Sequence, residues 1–404
     1  MAPSSASSRT KGLLPVWVLL LAVTALAPLA VGSVHFAVLA VWGVTSGILL
    51  VLLARARQQQ ARRVAPGPLP LLFVAGGVWS LLQSVPLPTG ILRLLSPSAA
   101  QLWEVMAQDG PPMFGSISAA PLTTVTTAAQ LFTLACVATV CLDLAREPDG
   151  RKRMIHMAAL SGLLVLLTGI LHSVLALEGP YGIFENPSTP LFRSTFINSN
   201  HAAAALIIGV FGCFGAALTA NDKRRMINGG LGALACVVAV FLCGSNGGAI
   251  GVVMGTAVAS ALLWRAVRRD HLADASSVAP RRGSRTMAIV AMATVLPLMF
   301  LALHGQELLG VRDGIVGALN LKVESFTQAV ATLPDYWLTG MGRGTFQEVF
   351  PRHKTSLRPY TFTAPENIGV LLAVEWGIPF AVAYIVAFVS LVVRWVTRQQ
   401  GVLG

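Results

Sequence analysis

Long apolar stretches, separated by polar gaps, recur along the whole chain. Each stretch is close to or longer than the roughly 17–25 residues that a helix needs to cross a bilayer. The pattern therefore predicts an all-α polytopic membrane protein with about ten transmembrane helices. The predicted spans are 12–32, 34–54, 69–86, 122–144, 154–176, 201–220, 228–244, 247–264, 287–303 and 368–393.

Basic residues collect in every second gap between these stretches, and these gaps hold 21 of the 29 Lys and Arg residues. Because cytoplasmic loops carry the excess of Lys and Arg, both termini are predicted to be cytoplasmic. The loops 87–121, 177–200 and 304–367 then face outward. We expect a single integral membrane domain over 1–404, with 304–367 as a large outer loop that contains short helices.

Composition agrees with a membrane protein, since hydrophobic residues make up 54% of the chain and charged residues only 11%. A soluble domain carries about 25% charged residues. The net charge of +12 is concentrated in these gaps. It therefore indicates membrane orientation and contact with anionic membrane lipids rather than a nucleic-acid partner. All five cysteines lie in apolar stretches without metal-ligand spacing to histidines, and we expect no disulfide framework and no metal.

Polar residues converge at the start of the sixth predicted span. Arg193, Asn198, Asn200 and His201 precede or open the helix that begins near Ala202. Helix N-termini bind anions, and an arginine adds a bidentate phosphate contact, so the segment suits a phosphate at the outer bilayer face. The structural alternative makes one asparagine an N-cap and Arg193 an interfacial residue, and the residues favour neither reading.

The largest outer loop carries three further features. Helical spacing of apolar residues over Leu319–Leu333 predicts an amphipathic helix that lies on the membrane surface and carries Lys322. A glycine-rich segment, Leu338–Phe346, contains Arg343 and brings backbone close to a ligand or to another segment. His353 follows it.

Acidic and amide residues mark the tenth predicted span. Glu366 and Asn367 lie at its mouth, and Glu375 lies about two and a half turns inside it. A carboxylate at that depth is costly, so Glu375 is predicted to face the bundle interior with a partner.

Four sequence motifs occur in a recognisable order and spacing. They are Arg193-Ser-Thr-Phe-Ile-Asn-Ser-Asn-His-Ala, Gly244-Ser-Asn-Gly-Gly, Leu338-Thr-Gly-Met-Gly-Arg-Gly-Thr-Phe and Glu366-Asn-Ile-Gly-Val-Leu-Leu-Ala-Val-Glu-Trp-Gly. Together they resemble the bacterial O-antigen ligase and O-antigen polymerase superfamily over roughly residues 70–390.

The resemblance implies a metal-independent glycosyltransferase without a cofactor, in which outer-loop arginines hold the diphosphate of an undecaprenyl-linked glycan and a histidine activates the acceptor hydroxyl. Arg193 matches the first arginine, and Lys322 stands at the second. Glu366 stands at the histidine position, which is compatible with a glutamate general base and equally with altered or lost activity. His353 is the alternative base, and Arg343 is a further diphosphate ligand. The expected supporting residues are Asn198, Asn200, His201, Asn367 and Glu375.

Two functions remain open at this stage. The first is inverting transfer or polymerisation of a polyprenyl-diphosphate-linked glycan at the outer face of the bacterial inner membrane, as in lipopolysaccharide and other polysaccharide biosynthesis. The acceptor hydroxyl would belong to lipid A core, to a glycan or to a protein. The second is a non-catalytic membrane partner or lipid-linked glycan transporter on the same scaffold.

Overall fold

The structure, a computed structural model, describes residues 12–33, 35–107, 110, 112–183, 192, 194–273, 312–355, 362, 364–365 and 367–402. It is mostly helical, at 76%. In the described part of the chain, the sheet content is one two-stranded antiparallel ribbon, in which Leu87 pairs with Gly115 and Pro88 with Phe114.

The first ten helices carry most of the apolar sequence, and the ribbon strands β1 (Leu87–Pro88) and β2 (Phe114–Gly115) lie among them. The helices are α1 (Leu14–Leu26), α2 (Phe36–Gln59), α3 (Pro68–Ser84), α4 (Thr89–Leu95), α5 (Pro97–Met106), α6 (Pro121–Leu144), α7 (Gly150–Val174), α8 (Ser199–Leu218), α9 (Lys223–Leu242) and α10 (Asn246–Ala273).

Five further helices follow in the C-terminal part of the described chain. They are α11 (Arg312–Ala331), α12 (Leu333–Tyr336), α13 (Phe346–Val349), α14 (Ile368–Trp376) and α15 (Ile378–Val402). Short 3-10 turns at Val31–Ser33, Pro180–Gly182 and Phe350–Arg352 join some of the helices.

Among the described residues, 6 helices are long and apolar enough to cross a membrane, which indicates a membrane protein. They are α2, α6, α7, α8, α9 and the first part of α15, Ile378–Trp395. Three shorter apolar helices correspond to three other predicted spans: Leu14–Leu26, Pro68–Ser84 and Gly247–Leu263. The predicted span 287–303 lies outside the described residues.

Two predicted spans differ from the helices observed. The first stretch, 12–32, is helical only to Leu26, because Pro28 has no backbone N–H to donate and Gly32 adopts a left-handed conformation (φ 64°). The last stretch, 368–393, is two helices, since Gly377 has φ 81° and separates α14 from α15. Glu375 therefore lies near the end of a short helix instead of inside a long one.

The described residues fall into two compact units, a first unit within 1–45 and 143–310 and a second unit within 46–142 and 311–404. In the first unit, α7 and α8 approach so closely that a Cβ on Gly209 would lie 2.7 Å from the Cα of Gly162. Glycines on α10 face α8 as well, since a Cβ on Gly251 would lie 3.0 Å from Cδ1 of Ile207. Small residues thus set the helix spacing, as is usual between membrane helices.

In the second unit, α3, α6, α14 and α15 pack through glycine–aromatic contacts. A Cβ on Gly76 of α3 would lie 3.0 Å from the Trp376 ring, and one on Gly77 would lie 2.9 Å from the Phe132 ring. A separate apolar core, built around Met341, Phe346 and Phe350, joins the segment after α11 to α14. This core supports the segment after α11, which carries the candidate site residues Arg343 and His353.

Candidate functional site

The glycine-rich segment of the second unit is held against the break between α14 and α15. The amide of Met341 donates to the carbonyl of Val374 (3.0 Å), and the amide of Ile378 donates to that of Trp337 (2.7 Å). Gly340 has φ 75°, and a Cβ there would strike the carbonyl group of Glu375. Because both positive φ and this close approach exclude a side chain, glycine is required at this position.

Gln83, near the end of α3, joins these two segments through its fully buried side chain. Its Nε2 donates to the carbonyls of Thr339 (2.7 Å) and Glu375 (2.7 Å), and its Oε1 accepts from the backbone amide of Arg343 (3.3 Å). All three hydrogen-bonding partners are contributed by segments more than 250 residues away, so one amide fixes the position of the glycine-rich segment relative to α3. Sequence reasoning missed Gln83, although a lone amide inside an apolar stretch was a signal for it.

Glu375 was predicted to have a buried partner, and in the structure that partner is Arg343. The Glu375 carboxylate is only 2% exposed, it forms an ion pair with Nη1 of Arg343, and its other oxygen accepts from the backbone amide of Phe346 (3.2 Å). The guanidinium lies over the Trp376 ring at 5.3 Å, and its Nε is buried without a hydrogen-bond partner. Arg343 is thus engaged within the fold, and the geometry favours a structural role over direct diphosphate binding.

His353 lies between a carboxylate and a phenol. Its Nδ1 is 3.6 Å from Oδ2 of Asp335, and its Nε2 is 3.2 Å from the hydroxyl of Tyr336. Burial raises the pKa of Tyr336 to about 12, with a further rise from Asp335 and an opposing effect of Arg352. The phenol is therefore protonated at neutral pH and can donate to Nε2. In that tautomer the imidazole hydrogen lies on Nδ1, towards Asp335.

This arrangement can accept a proton, because a neutral imidazole has a lone pair on Nε2 and a carboxylate near Nδ1 stabilises the imidazolium. Asp335 and Tyr336 were not among the predicted site residues. Both residues directly follow α11, and their spacing from His353 along the sequence does not predict a contact.

Lys322 lies exposed on α11. The amphipathic helix predicted over Leu319–Leu333 is present as α11, with α12 after it. Among its described side chains, the small Ser325 and Ala329 are buried, whereas the large Phe326 and Val330 are 40% and 38% exposed. Phe326 and Val330, two apolar residues of the predicted stripe, are therefore exposed, and the described part of the helix packs through small residues.

Asn367 is the N-cap of α14, since its side chain accepts from the amide of Val370 (3.1 Å). Glu366 lies outside the described residues.

In the first unit, Asn198 and Asn200, which directly precede the sixth predicted span, form hydrogen bonds within the protein. Asn198 is the N-cap of α8 and accepts from the amide of Asn200 (2.8 Å). The Asn200 side chain accepts from the hydroxyl of Ser245 (2.6 Å) and so ties the start of α8 to the turn before α10. His201 is exposed in the first turn of α8, and Arg193 lies outside the described residues.

Among the described residues, no group of three or more His, Cys, Asp or Glu side chains is arranged to hold a metal ion.

Comparison of the chain with protein-family models, with curated proteins and with solved structures gave no match.

The buried ion pair generates a stability prediction. Arg343→Met leaves the Glu375 carboxylate buried without its cation, and we expect a loss of about 3–5 kcal/mol in the free energy of unfolding. The double variant Arg343→Met/Glu375→Met removes both charges and should recover much of this loss. Thermal and denaturant unfolding of the detergent-purified chain would measure both.

The exposed ion pair Arg93–Glu104 provides the matched control in the same unit. Arg93→Gln should cost about 0–1 kcal/mol, because exposed pairs contribute little. Equal losses in Arg93→Gln and Arg343→Met would contradict a structural role for the buried pair.

Proposed function

We propose that this protein transfers or polymerises a polyprenyl-diphosphate-linked glycan at the outer face of the bacterial inner membrane, as an inverting glycosyltransferase of the O-antigen ligase and polymerase type. The order and spacing of the four motifs support the class. The observation that carries the chemistry is His353, which is held between Asp335 and Tyr336 beside the segment fixed by Gln83.

The reaction needs a proton acceptor and a place for developing phosphate charge. The acceptor hydroxyl attacks the anomeric carbon, the bond from that carbon to the diphosphate oxygen breaks, and polyprenyl diphosphate leaves with the bonding electrons. We propose that the acceptor hydroxyl replaces Tyr336 on Nε2 of His353 and gives its proton to the imidazole. Asp335 then stabilises the imidazolium. Glu366 is the alternative base, from its position in the family motif.

Cationic side chains would stabilise the leaving diphosphate. Lys322 is exposed on α11 and stands at the second arginine position of the family. Arg193 stands at the first and supplies a planar fork suited to a diphosphate. Arg343 acts mainly through its ion pair with Glu375, which fixes the glycine-rich segment.

The proposal includes the membrane topology. The six long apolar helices, the three shorter ones and the stretch 287–303 together make ten spans. The charge distribution then orients both termini to the cytoplasm and residues 304–367 to the outside.

A second candidate function is a non-catalytic partner or transporter in polysaccharide assembly. Glu366 in place of the family's histidine favours it, as does the mutual neutralisation of Arg343 and Glu375. Both functions share the topology and differ in whether His353 and Arg193 are required for transfer.

The topology yields one prediction. A reporter that is active only outside the cytoplasm should be active when fused after Gly340 and inactive when fused after Asn221. Asn221 directly follows the sixth predicted span, 201–220, which should end on the cytoplasmic side. Cytoplasmic signal from the Gly340 fusion would refute the orientation.

The diphosphate role predicts different effects at two cationic positions. Arg193→Ala should abolish transfer and Arg193→Lys should retain only a little, since an ammonium lacks the forked geometry. Lys322→Arg should be tolerated or should raise activity. The assay is glycan transfer in membranes that contain equal amounts of each variant.

Lys223→Ala serves as the control for Arg193→Ala, because Lys223 is exposed and lies in a predicted inner gap. If well-expressed Arg193→Ala transferred glycan at the wild-type rate, Arg193 would have no role in diphosphate binding. This result would favour the non-catalytic function.

The proton-acceptor role separates His353 from Glu366. If His353 is the base, His353→Gln should lower the transfer rate by about 10²–10⁴-fold, and Glu366→Gln should leave most activity. His35→Gln is the control, because His35 is exposed and is not part of the proposed site. The reverse ranking, with Glu366→Gln inactive and His353→Gln active, would transfer the role to Glu366.

A further inference from the structure

Two neighbouring cavities lie at one end of the helices of the first unit. The first measures about 560 Å³ and lies between α1 and α7, where Trp17, Leu21, Arg153 and Leu160 line it. The second measures about 470 Å³ and is lined by α7, α8 and α9. Lys152 and His156 line both cavities, so they lie where the two adjoin.

The lining residues change from charged to apolar along α7. Lys152, Arg153 and His156 occupy its first two turns, and Leu160 and Leu163 follow on the next two. At a rise of about 1.5 Å per residue, the step from Lys152 to Leu163 covers roughly 16 Å. A charged end followed by an apolar wall of this length matches the headgroup and upper acyl chain of a phospholipid.

The charged end is positive. Lys152 and Arg153 face a single acidic lining residue, Asp149, in the first cavity. Arg225 lines the second cavity and pairs with Asp222 at 3.1 Å.

His156 is oriented by its own helix. Its Nδ1 lies 2.6 Å from the carbonyl oxygen of Lys152, so Nδ1 carries the hydrogen that it donates there. This contact directs Nε2 away from the helix backbone. Because Nδ1 already donates to the carbonyl, Nε2 donates to a phosphate when the imidazole is protonated.

An aromatic ring completes the first cavity. The Arg153 guanidinium lies 5.3 Å from the centroid of the Trp17 ring, and Trp17 is 9% exposed. Tryptophan is enriched at the headgroup level of membranes. Lys152 and Arg153 also belong to a gap that the charge distribution assigns to the cytoplasmic side, where anionic lipids concentrate.

We propose that these two cavities bind an anionic glycerophospholipid, with its phosphate between Lys152 and His156 and its acyl chains along the leucine-lined walls. A soluble phosphate would satisfy the basic residues but would leave the apolar walls exposed, so the shape and charge together favour a lipid. The site belongs to the first unit alone, and its occupancy does not depend on glycan transfer.

Native mass spectrometry of the full-length, detergent-purified protein tests the site. Phosphatidylglycerol and phosphatidylcholine with identical acyl chains are added in parallel. The wild type should bind phosphatidylglycerol about tenfold more tightly, and Lys152→Gln/His156→Gln should lose at least about fivefold of that affinity, as expected for one lost cation at an anionic surface. Lys152→Arg should retain it.

Arg151→Gln is the matched control, since Arg151 is exposed on the same turn of α7 and does not belong to the lining of either cavity. Each variant is first shown to be monodisperse with an unchanged melting temperature in detergent. If the double variant impairs folding, the two single variants, Lys152→Gln and His156→Gln, are compared instead.

Three results would overturn the proposal. Arg151→Gln could lose as much lipid affinity as the double variant, which would indicate a diffuse basic surface. Phosphatidylcholine could bind as tightly as phosphatidylglycerol, which would remove the role of charge. Inorganic phosphate could protect the protein from heat as well as the lipid does, which would define a soluble-anion site.

Discussion

The side-chain amide of Gln83 is the contact on which the second unit depends. It is fully buried, and it hydrogen-bonds to Thr339, Arg343 and Glu375, which are contributed by two segments far along the chain. A buried amide or carbonyl without a partner costs roughly 1–3 kcal/mol. Gln83 and the three backbone groups that it contacts therefore stabilise one another. Removal of Gln83 would leave the carbonyl of Thr339 and the amide of Arg343 without this partner, whereas the carbonyl of Glu375 would keep its bond from the amide of Gly342 (3.1 Å).

The broken helix before α15 is possible because of this network. A chain that breaks at Gly377 exposes carbonyls that no helix satisfies, and irregular backbone beside membrane spans is tolerated only where protein satisfies it. Gln83 and Gly342 bond to the carbonyl of Glu375, and Trp79 bonds to that of Trp376 (3.0 Å). The same network fixes the glycine-rich segment and, through the adjoining core, the region of His353.

The helical, membrane-type character of the fold was predictable from the sequence because long apolar stretches are a strong signal. The spans at 122–144 and 201–220 agree with α6 and α8 within two residues. The capping role considered for Asn198 and the buried partner predicted for Glu375 also correspond to the structure. These follow from local rules: an amide caps a helix, and a carboxylate does not lie buried alone.

The remaining features depend on contacts that hydropathy does not encode. The stretch 368–393 is apolar throughout, so the break at Gly377 was missed, although Pro379 two residues later is a typical helix-start signal. The buried residues of α11 in the part whose side chains are described, Ser325 and Ala329, are small, and a search for large apolar side chains overlooks them. The Asp335–His353–Tyr336 cluster forms only after α12 and the 3-10 turn Phe350–Arg352 are brought together.

The central claim is that this chain itself catalyses inverting transfer from a polyprenyl diphosphate. The most direct measurement combines the purified full-length protein with a defined polyprenyl-diphosphate oligosaccharide and an acceptor, and follows polyprenyl diphosphate release and the anomeric configuration of the product by mass spectrometry and NMR. We predict release in step with transfer and an inverted glycosidic linkage. Folded protein that releases no polyprenyl diphosphate with any acceptor class, or a product with retained configuration, would contradict this account.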